Sequence, residues 1–344
     1  MGFARRFTAY KRPNLLLHDP DRLSRILNHP HRPVQIVLAG KAHPRDEQGK
    51  SLLRAWWEYS LRPDVRDKVV FLSDYDMTLA QQLVQGVDLW INTPRRPWEA
   101  CGTSGMKVLV NGGLNVSERD GWWAEAYRAE VGWAIGDGQE HGDDPGWDAE
   151  EAQEAYRLLE DEIIPCFYER NGQGIPTQWV ARMRRSMAEL TSEFSANRMV
   201  REYVDRLYVP AAGRYLTRAT GGALQAVRLC RWRETLDAHW RKLHFGRLSV
   251  NTEGEYHCVM VEAYLDELDS TAVQVQLYAD PQDSEAPEVI VMDVSSAAGT
   301  PNSYICRARV PARRPALDYT PRIVPYLDGI AVPLETAHIL WYES

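Results

Sequence analysis

The chain has 344 residues, enough for about two domains, each with its own core. A formal net charge of −8 and a pI near 5.7 exclude the basic footprint of a nucleic-acid-binding protein. Five cysteines (Cys101, Cys166, Cys230, Cys258, Cys306), odd in number and without C-x-x-C pairs, argue against a disulfide framework or a zinc site and suit reduced thiols in cytoplasm. No apolar run approaches about 18 residues, so no membrane span is predicted. Arg5 and Arg6 lead into polar sequence, which is not the pattern of a signal peptide.

The chain opens with Arg5, Arg6, Lys11 and Arg12 ahead of Pro13 and Leu15-Leu16-Leu17. Proline suits a first helical position, so the cations are expected just before a helix N-terminus, a place for an anion. A basic surface loop accounts for the same residues. Asp19-Pro20-Asp21 reads as the cap of a short helix with Leu23, Ile26 and Leu27 on one face. Val34–Ala39 is an apolar run, expected as a buried parallel strand. It ends at Gly40-Lys41-Ala42-His43-Pro44, where nothing in the sequence pairs His43 as a base. A helix from Leu52, a strand over Val69–Leu72 and a helix over Leu79–Gln85 follow, with Ser73-Asp74-Tyr75-Asp76 after the strand.

The apolar run Val87–Ile91 ends at Asn92-Thr93-Pro94 and precedes Glu99-Ala100-Cys101-Gly102-Thr103-Ser104-Gly105-Met106-Lys107. Strand, glycine-rich loop with small hydroxyls, then helix start is the layout of a phosphate cradle. Lys107 is expected near that helix start among apolar neighbours, surroundings that favour the neutral amine an imine-forming lysine needs. A plain strand–helix connection produces the same pattern. Alternation of strand and helix to residue 125 predicts an α/β, Rossmann-like, doubly wound parallel sheet.

Gly132–Asp144 reads as a mobile loop, and Asp148 with Glu151 as a capping box for a helix that stops at Pro165. Trp179, Met183, Met187, Leu190 and Phe194 form the core stripe of another helix, and Arg198–Tyr208 a third. Pro210-Ala211-Ala212-Gly213 marks an expected break, before one long helix over Leu216–His239 weakened at Gly221-Gly222. From residue 246 alternating runs separated by turns predict a small antiparallel β-sandwich. The expected divisions are 1–212, a helical linker 213–245, and 246–344. Twelve tryptophans are many; stacking on sugars is one use of them, core packing the usual one.

The segment Glu99–Lys107, followed by Asn111-Gly112, resembles the pyridoxal-phosphate attachment segment of the α-glucan (glycogen, starch, maltodextrin) phosphorylases. Thr93-Pro94-Arg95-Arg96-Pro97 and Asp120-Gly121-Trp122-Trp123 are similar to the bacterial short-form branch. Arg5-Arg6, then Tyr10-Lys11-Arg12, is similar to the family's basic stretch, and Pro315–Arg322 with Leu340-Trp341-Tyr342 resembles the branch's C-terminal extension. The resemblance implies the C-terminal half of a GT-B glycosyltransferase fold, with pyridoxal 5′-phosphate attached at Lys107. It implies Arg5, Tyr75 and Thr103 on the cofactor phosphate, and Arg6 and Lys11 on the substrate phosphate with help from Thr103. Glu99, Ala100, Cys101 and Gly102 are implied on glucose hydroxyls, and no metal.

The implied reaction is phosphorolysis of α-1,4-glucan to α-glucose 1-phosphate, with the cofactor phosphate acting as a general acid. The family's N-terminal domain is expected to be absent, and with it much of the glucan groove. The alternative within this reading is a split or vestigial subunit that needs an N-terminal partner chain and shows little activity alone. A nucleotide-sugar glycosyltransferase of the glycogen synthase type is the rival enzyme; those carry Glu-x7-Glu, whereas Lys107 stands at the second position here. No nucleic acid or membrane partner is expected, and self-association is left open.

Overall fold

In the computed structural model, described over residues 1–282, 286–297 and 302–343, the chain forms two compact units, Met1–Glu202 and Tyr203–Ser344. In the first, six strands form a parallel sheet: β1 (Gly2–Ala4), β2 (Ile36–Ala39), β3 (Val69–Leu72), β4 (Leu89–Asn92), β5 (Leu114–Glu118) and β6 (Trp133–Ile135). Their order is β3-β2-β1-β4-β5-β6. Apart from β5 (Leu-Asn-Val-Ser-Glu) these are short, mainly apolar runs, as expected of a parallel sheet with helices on both faces. The helices are α1 (Pro20–Leu27), α2 (Glu47–Ser60), α3 (Met77–Gly86), α4 (Thr103–Val110), α5 (Trp122–Ala126), α6 (Pro145–Arg157), α7 (Ile164–Tyr168), α8 (Thr177–Glu193) and α9 (Ala196–Tyr203).

Aspartates set four of these helix starts. Asp19, Asp46, Asp76 and Asp144 each accept a backbone N–H of the first turn at 2.8 Å. The last of these corrects the expected capping box: α6 starts at Asp144-Pro145, and Asp148 and Glu151 have other work. The region 132–144 is likewise not all loop, since Trp133–Ile135 is the buried edge strand β6. The main core of this unit runs from Phe3 and Phe7 through Leu38, Trp56, Ile91 and Val116 to Trp179.

Two predicted helix stops at proline are absent. Turns of π type at Leu158–Ile163 and Val204–Tyr208 precede Pro165 and Pro210, and the helix runs on as α7 and as α10 (Val209–Ala219). The wider turn accommodates a residue that has no N–H to donate. The expected helix over Leu216–His239 is broken instead at Gly221-Gly222-Ala223, all with positive φ (64°, 72°, 61°), and resumes as α11 (Leu224–His239).

The second unit continues with β7 (His244–Glu253), β8 (Tyr256–Tyr264), β9 (Val273–Ala279), β10 (Glu288–Val291), β11 (Asp293–Ser296), β12 (Ser303–Pro311), β13 (Tyr319–Pro325) and β14 (Leu340–Trp341). These form two four-stranded antiparallel sheets, β10-β9-β13-β14 and β11-β12-β8-β7. Val259, Val261 and Ala263 of one sheet and Val275, Leu277 and Ile323 of the other share a core, so the predicted sandwich forms. Met292, buried between β10 and β11, marks where the chain changes sheets.

Candidate active site

In an open parallel sheet ligands bind outside the strand carboxyl ends, where the strand order reverses. Here that point lies between β1 and β4, and the loops leaving those two strands are the basic stretch and the Glu99 segment. The sheet thus brings residues nearly a hundred positions apart to one crevice.

The basic loop is fixed by its backbone. Arg5 N–H donates to the Ala39 carbonyl and Phe7 N–H to that of Lys41, both at 3.1 Å, and Phe7 is fully buried. Gly40 is required beside it, since a Cβ there would stand 2.0 Å from the Arg5 carbonyl oxygen. From the other side, Arg95 N–H donates to the Tyr10 carbonyl at 2.6 Å. The Thr93 hydroxyl lies 3.2 and 3.0 Å from the carbonyls of Lys11 and Arg12. The predicted helix after Pro13 is only a single 3₁₀ turn, Leu15–Leu17, so no helix N-terminus supports these cations.

Arg5 and Lys11 converge on one oxygen of Glu99, at 3.2 and 2.7 Å, with all three side chains largely buried. Arg5 Nη1 is buried without a hydrogen-bond partner. Burial lowers the Arg5 pKa, with Glu99, Tyr10 and Tyr75 acting in the opposite direction. Burial raises that of Tyr75, opposed by Arg5, so Tyr75 and Arg5 are electrostatic neighbours. Arg6 is exposed and does not join the Glu99 pair.

Glu99 is set by Asp120, whose carboxylate accepts Glu99 N–H and Gly121 N–H, each at 2.8 Å. Trp122 N–H donates to the Cys101 carbonyl at 2.9 Å, so the turn after β5 clamps the loop 99–102. Gly102, with φ +82°, begins α4 without a side-chain cap, leaving first-turn N–H groups available to an anion. Within α4, Gly105 packs against Asn115 and Trp122; a Cβ would meet them at 2.7 and 2.9 Å. Lys107 does not stand at the helix start. It lies one turn on, in the last turn of α4, exposed, with Nζ 3.4 Å from Thr103 Oγ1.

The residue that sequence reasoning missed is Arg12. Its buried guanidinium donates to the Thr93 and Pro94 carbonyls at 3.1 and 3.0 Å. It also pairs with Glu118 (3.2 Å), Asp148 (2.8 Å) and Glu151. Arg95 holds the other oxygen of Asp148 at 2.7 Å. Burial and the neighbouring Glu151 carboxylate push Glu118 far above the usual carboxylate range, against the pull of Arg12. No grouping of His, Cys, Asp and Glu among the described residues could hold a metal ion. No helix among them is long and apolar enough to cross a membrane.

The doubly wound sheet thus gathers cations, a carboxylate and the lysine-bearing helix α4 at its switch point, an arrangement that can hold a phosphorylated ligand. Residues 3–134 match the family model described as carbohydrate phosphorylase. The chain is 37% identical over 349 aligned residues to the maltodextrin phosphorylase of Thermococcus litoralis, covering 99% of this chain and 41% of that protein. It is 45% identical to the glycogen phosphorylases of Mycobacterium tuberculosis and Aquifex aeolicus. Those matches cover 71% and 60% of this chain and 28% and 30% of theirs. The chain is a relative of the α-glucan phosphorylases and spans less than half the length of these proteins.

Proposed function

We propose that this chain carries the cofactor and phosphate portion of a pyridoxal-phosphate-dependent α-glucan phosphorylase. The reaction is glucan plus phosphate giving α-glucose 1-phosphate and a glucan shorter by one residue. The observation that carries the reading is the convergence of Arg5 and Lys11 on Glu99 beside α4, which bears Lys107. The residues present fit the cofactor. Arg5 offers a buried, unpaired Nη1 to a phosphate, with Tyr75 electrostatically coupled to Arg5 and the uncapped start of α4 to add N–H donors. Lys107 is accessible for attachment, one helical turn from the Thr103 hydroxyl.

Pyridoxal phosphate, when bound, supplies a phosphate whose second pKa, about 6, suits acid catalysis at neutral pH. The chain's own residues then have separable tasks. Lys11, with Arg6, holds the substrate phosphate and balances its charge against the cofactor phosphate at Arg5. Glu99 spaces the two cations and offers its remaining oxygen to sugar hydroxyls. Asp120 and Trp122 keep Glu99 and the 100–102 backbone in register. The remainder of the sugar site belongs to portions of the relatives that this chain does not match, supplied on the same or a partner polypeptide. The lysine at position 107, where the glycogen synthase pattern has glutamate, favours this reading over a nucleotide-sugar transferase.

Calorimetric titration tests it. Pyridoxal phosphate is expected to bind saturably and to weaken at least about tenfold in Arg5→Ala, from loss of a charged hydrogen bond. Binding of a nucleoside-diphosphate sugar, with none of pyridoxal phosphate, would overturn it.

A further inference from the structure

The outward face of the sheet β10-β9-β13-β14 is built differently from its aliphatic inner face. Along β9, Val273, Val275 and Leu277 are buried while Gln274, Gln276 and Tyr278 are half-buried on the other side. Strand register sets Gln276 opposite Arg322 and Arg322 opposite Trp341. The Arg322 guanidinium lies 4.5 Å from the Tyr278 ring centre and 5.2 Å from that of Trp341, and the two rings meet edge-on at 5.2 Å. So held, Arg322 donates twice to Gln276 Oε1, at 3.1 and 2.9 Å. Gln276 Nε2 in turn donates to Gln274 Oε1 at 3.1 Å. This is a one-way relay: each bond polarises the next, and the Gln274 NH₂ group ends it as a strengthened donor pair.

Gln274 and Gln276 line a cavity of about 330 Å³, whose opposite wall is the segment 325–332, including Tyr326, Asp328 and Ile330. That wall is tied down. Tyr326 N–H donates to the Ala272 carbonyl at 2.9 Å. Arg218 donates to the Gly329 carbonyl at 2.7 Å and pairs with Glu335 at 2.5 Å, and Glu335 also accepts Ala331 N–H at 2.7 Å. The charged groups at the cleft, Arg322 behind its wall and Asp328 at its edge, balance, so it complements a neutral ligand. Preset amide donors together with an exposed ring at the rim, Tyr326, suit a polyol: hydroxyl oxygens accept from the amides while the C–H face of a sugar covers the ring.

We propose that this cleft is a second carbohydrate site, binding a short stretch of α-1,4-linked glucan apart from the Glu99 site. The choice of an α-linked glucan rests on the proposed function; the amide relay, the fixed wall and the charge balance do not. The test is calorimetric titration of the full chain with maltoheptaose, with cellohexaose as the β-linked control. Maltoheptaose is expected to bind the wild-type chain and to bind Gln274→Leu and Tyr326→Ala at least about tenfold more weakly, the loss of one or two hydrogen bonds or a stacked ring.

Unchanged unfolding midpoints in these two surface variants, and unchanged pyridoxal phosphate uptake, would locate the effect in the cleft. The uptake reports on the Glu99 site separately. Three results would overturn the proposal: no maltoheptaose binding to the wild-type chain, binding unaltered in both variants, or equal binding of cellohexaose.

Discussion

Replacing Arg12 by alanine leaves Glu118, Asp148 and Glu151 gathered around a space with no cation except Arg95, which reaches only Asp148. The Arg12, Glu118 and Glu151 side chains are 6%, 2% and 5% exposed, so bulk solvent screens their charges little. The carbonyls of Thr93 and Pro94 lose their donors at the same time. Removing one partner of a buried ion pair costs about 3–5 kcal/mol, and Arg12→Ala is expected in that range at pH 7. The sign of the pH dependence follows from Glu118, whose folded-state pKa lies above its ordinary value because of burial and Glu151. Between those two values the folded state binds the extra proton, so stability falls as pH rises through that window. Without Arg12 its pull on Glu118 is lost, so the fall persists to higher pH; in Glu118→Gln it flattens. Urea unfolding at pH 6 and pH 8.5, compared at constant m, measures this. An Arg12→Ala chain within about 1 kcal/mol of wild type, with the same pH slope, would refute the ion cluster as the support of the basic loop.

Three further outcomes are expected. Gly105→Ala should lower stability by about 1–3 kcal/mol, read as a lower urea midpoint, since the new Cβ meets Asn115 and Trp122 below 3 Å; a gain, as helix propensity alone would give, contradicts that packing. Tyr75→Phe keeps the ring's contacts but removes the hydroxyl that couples electrostatically to Arg5, and should weaken pyridoxal phosphate binding about tenfold by absorbance titration; unchanged affinity removes Tyr75 from the site. Cys306 is buried and its thiol is pushed up to about 12 by burial, so a thiol reagent at pH 8 should label exposed Cys230 and spare Cys306 until the chain unfolds; early labelling of Cys306 would mean the sandwich core is open.

Much of the layout was legible because it is local. Apolar runs and alternation located the strands, and Asp19 announced its helix. The Glu99–Lys107 segment carries its own signal in nine residues. What was not legible is long-range or depends on backbone adjustment. Arg12 reads as one more cation in a basic stretch, yet its partners lie 81 to 139 positions away. Asp148 and Glu151 have the spacing of a capping box, but are drawn to that guanidinium instead. Pro165 and Pro210 look like stops until a preceding π turn removes the conflict. Lys107 follows a glycine-rich loop in sequence, but α4 begins at Thr103, which carries the lysine into the helix and into solvent.

Lys107 is the residue proposed to hold pyridoxal phosphate in this chain. The direct measurement is incubation with pyridoxal phosphate, borohydride reduction, digestion and mass spectrometry of the peptides. A phosphopyridoxyl adduct is expected on the peptide bearing Lys107, with no adduct in Lys107→Ala and its near-ultraviolet to visible band lost. An adduct confined to other lysines, or the same band in Lys107→Ala, would contradict it.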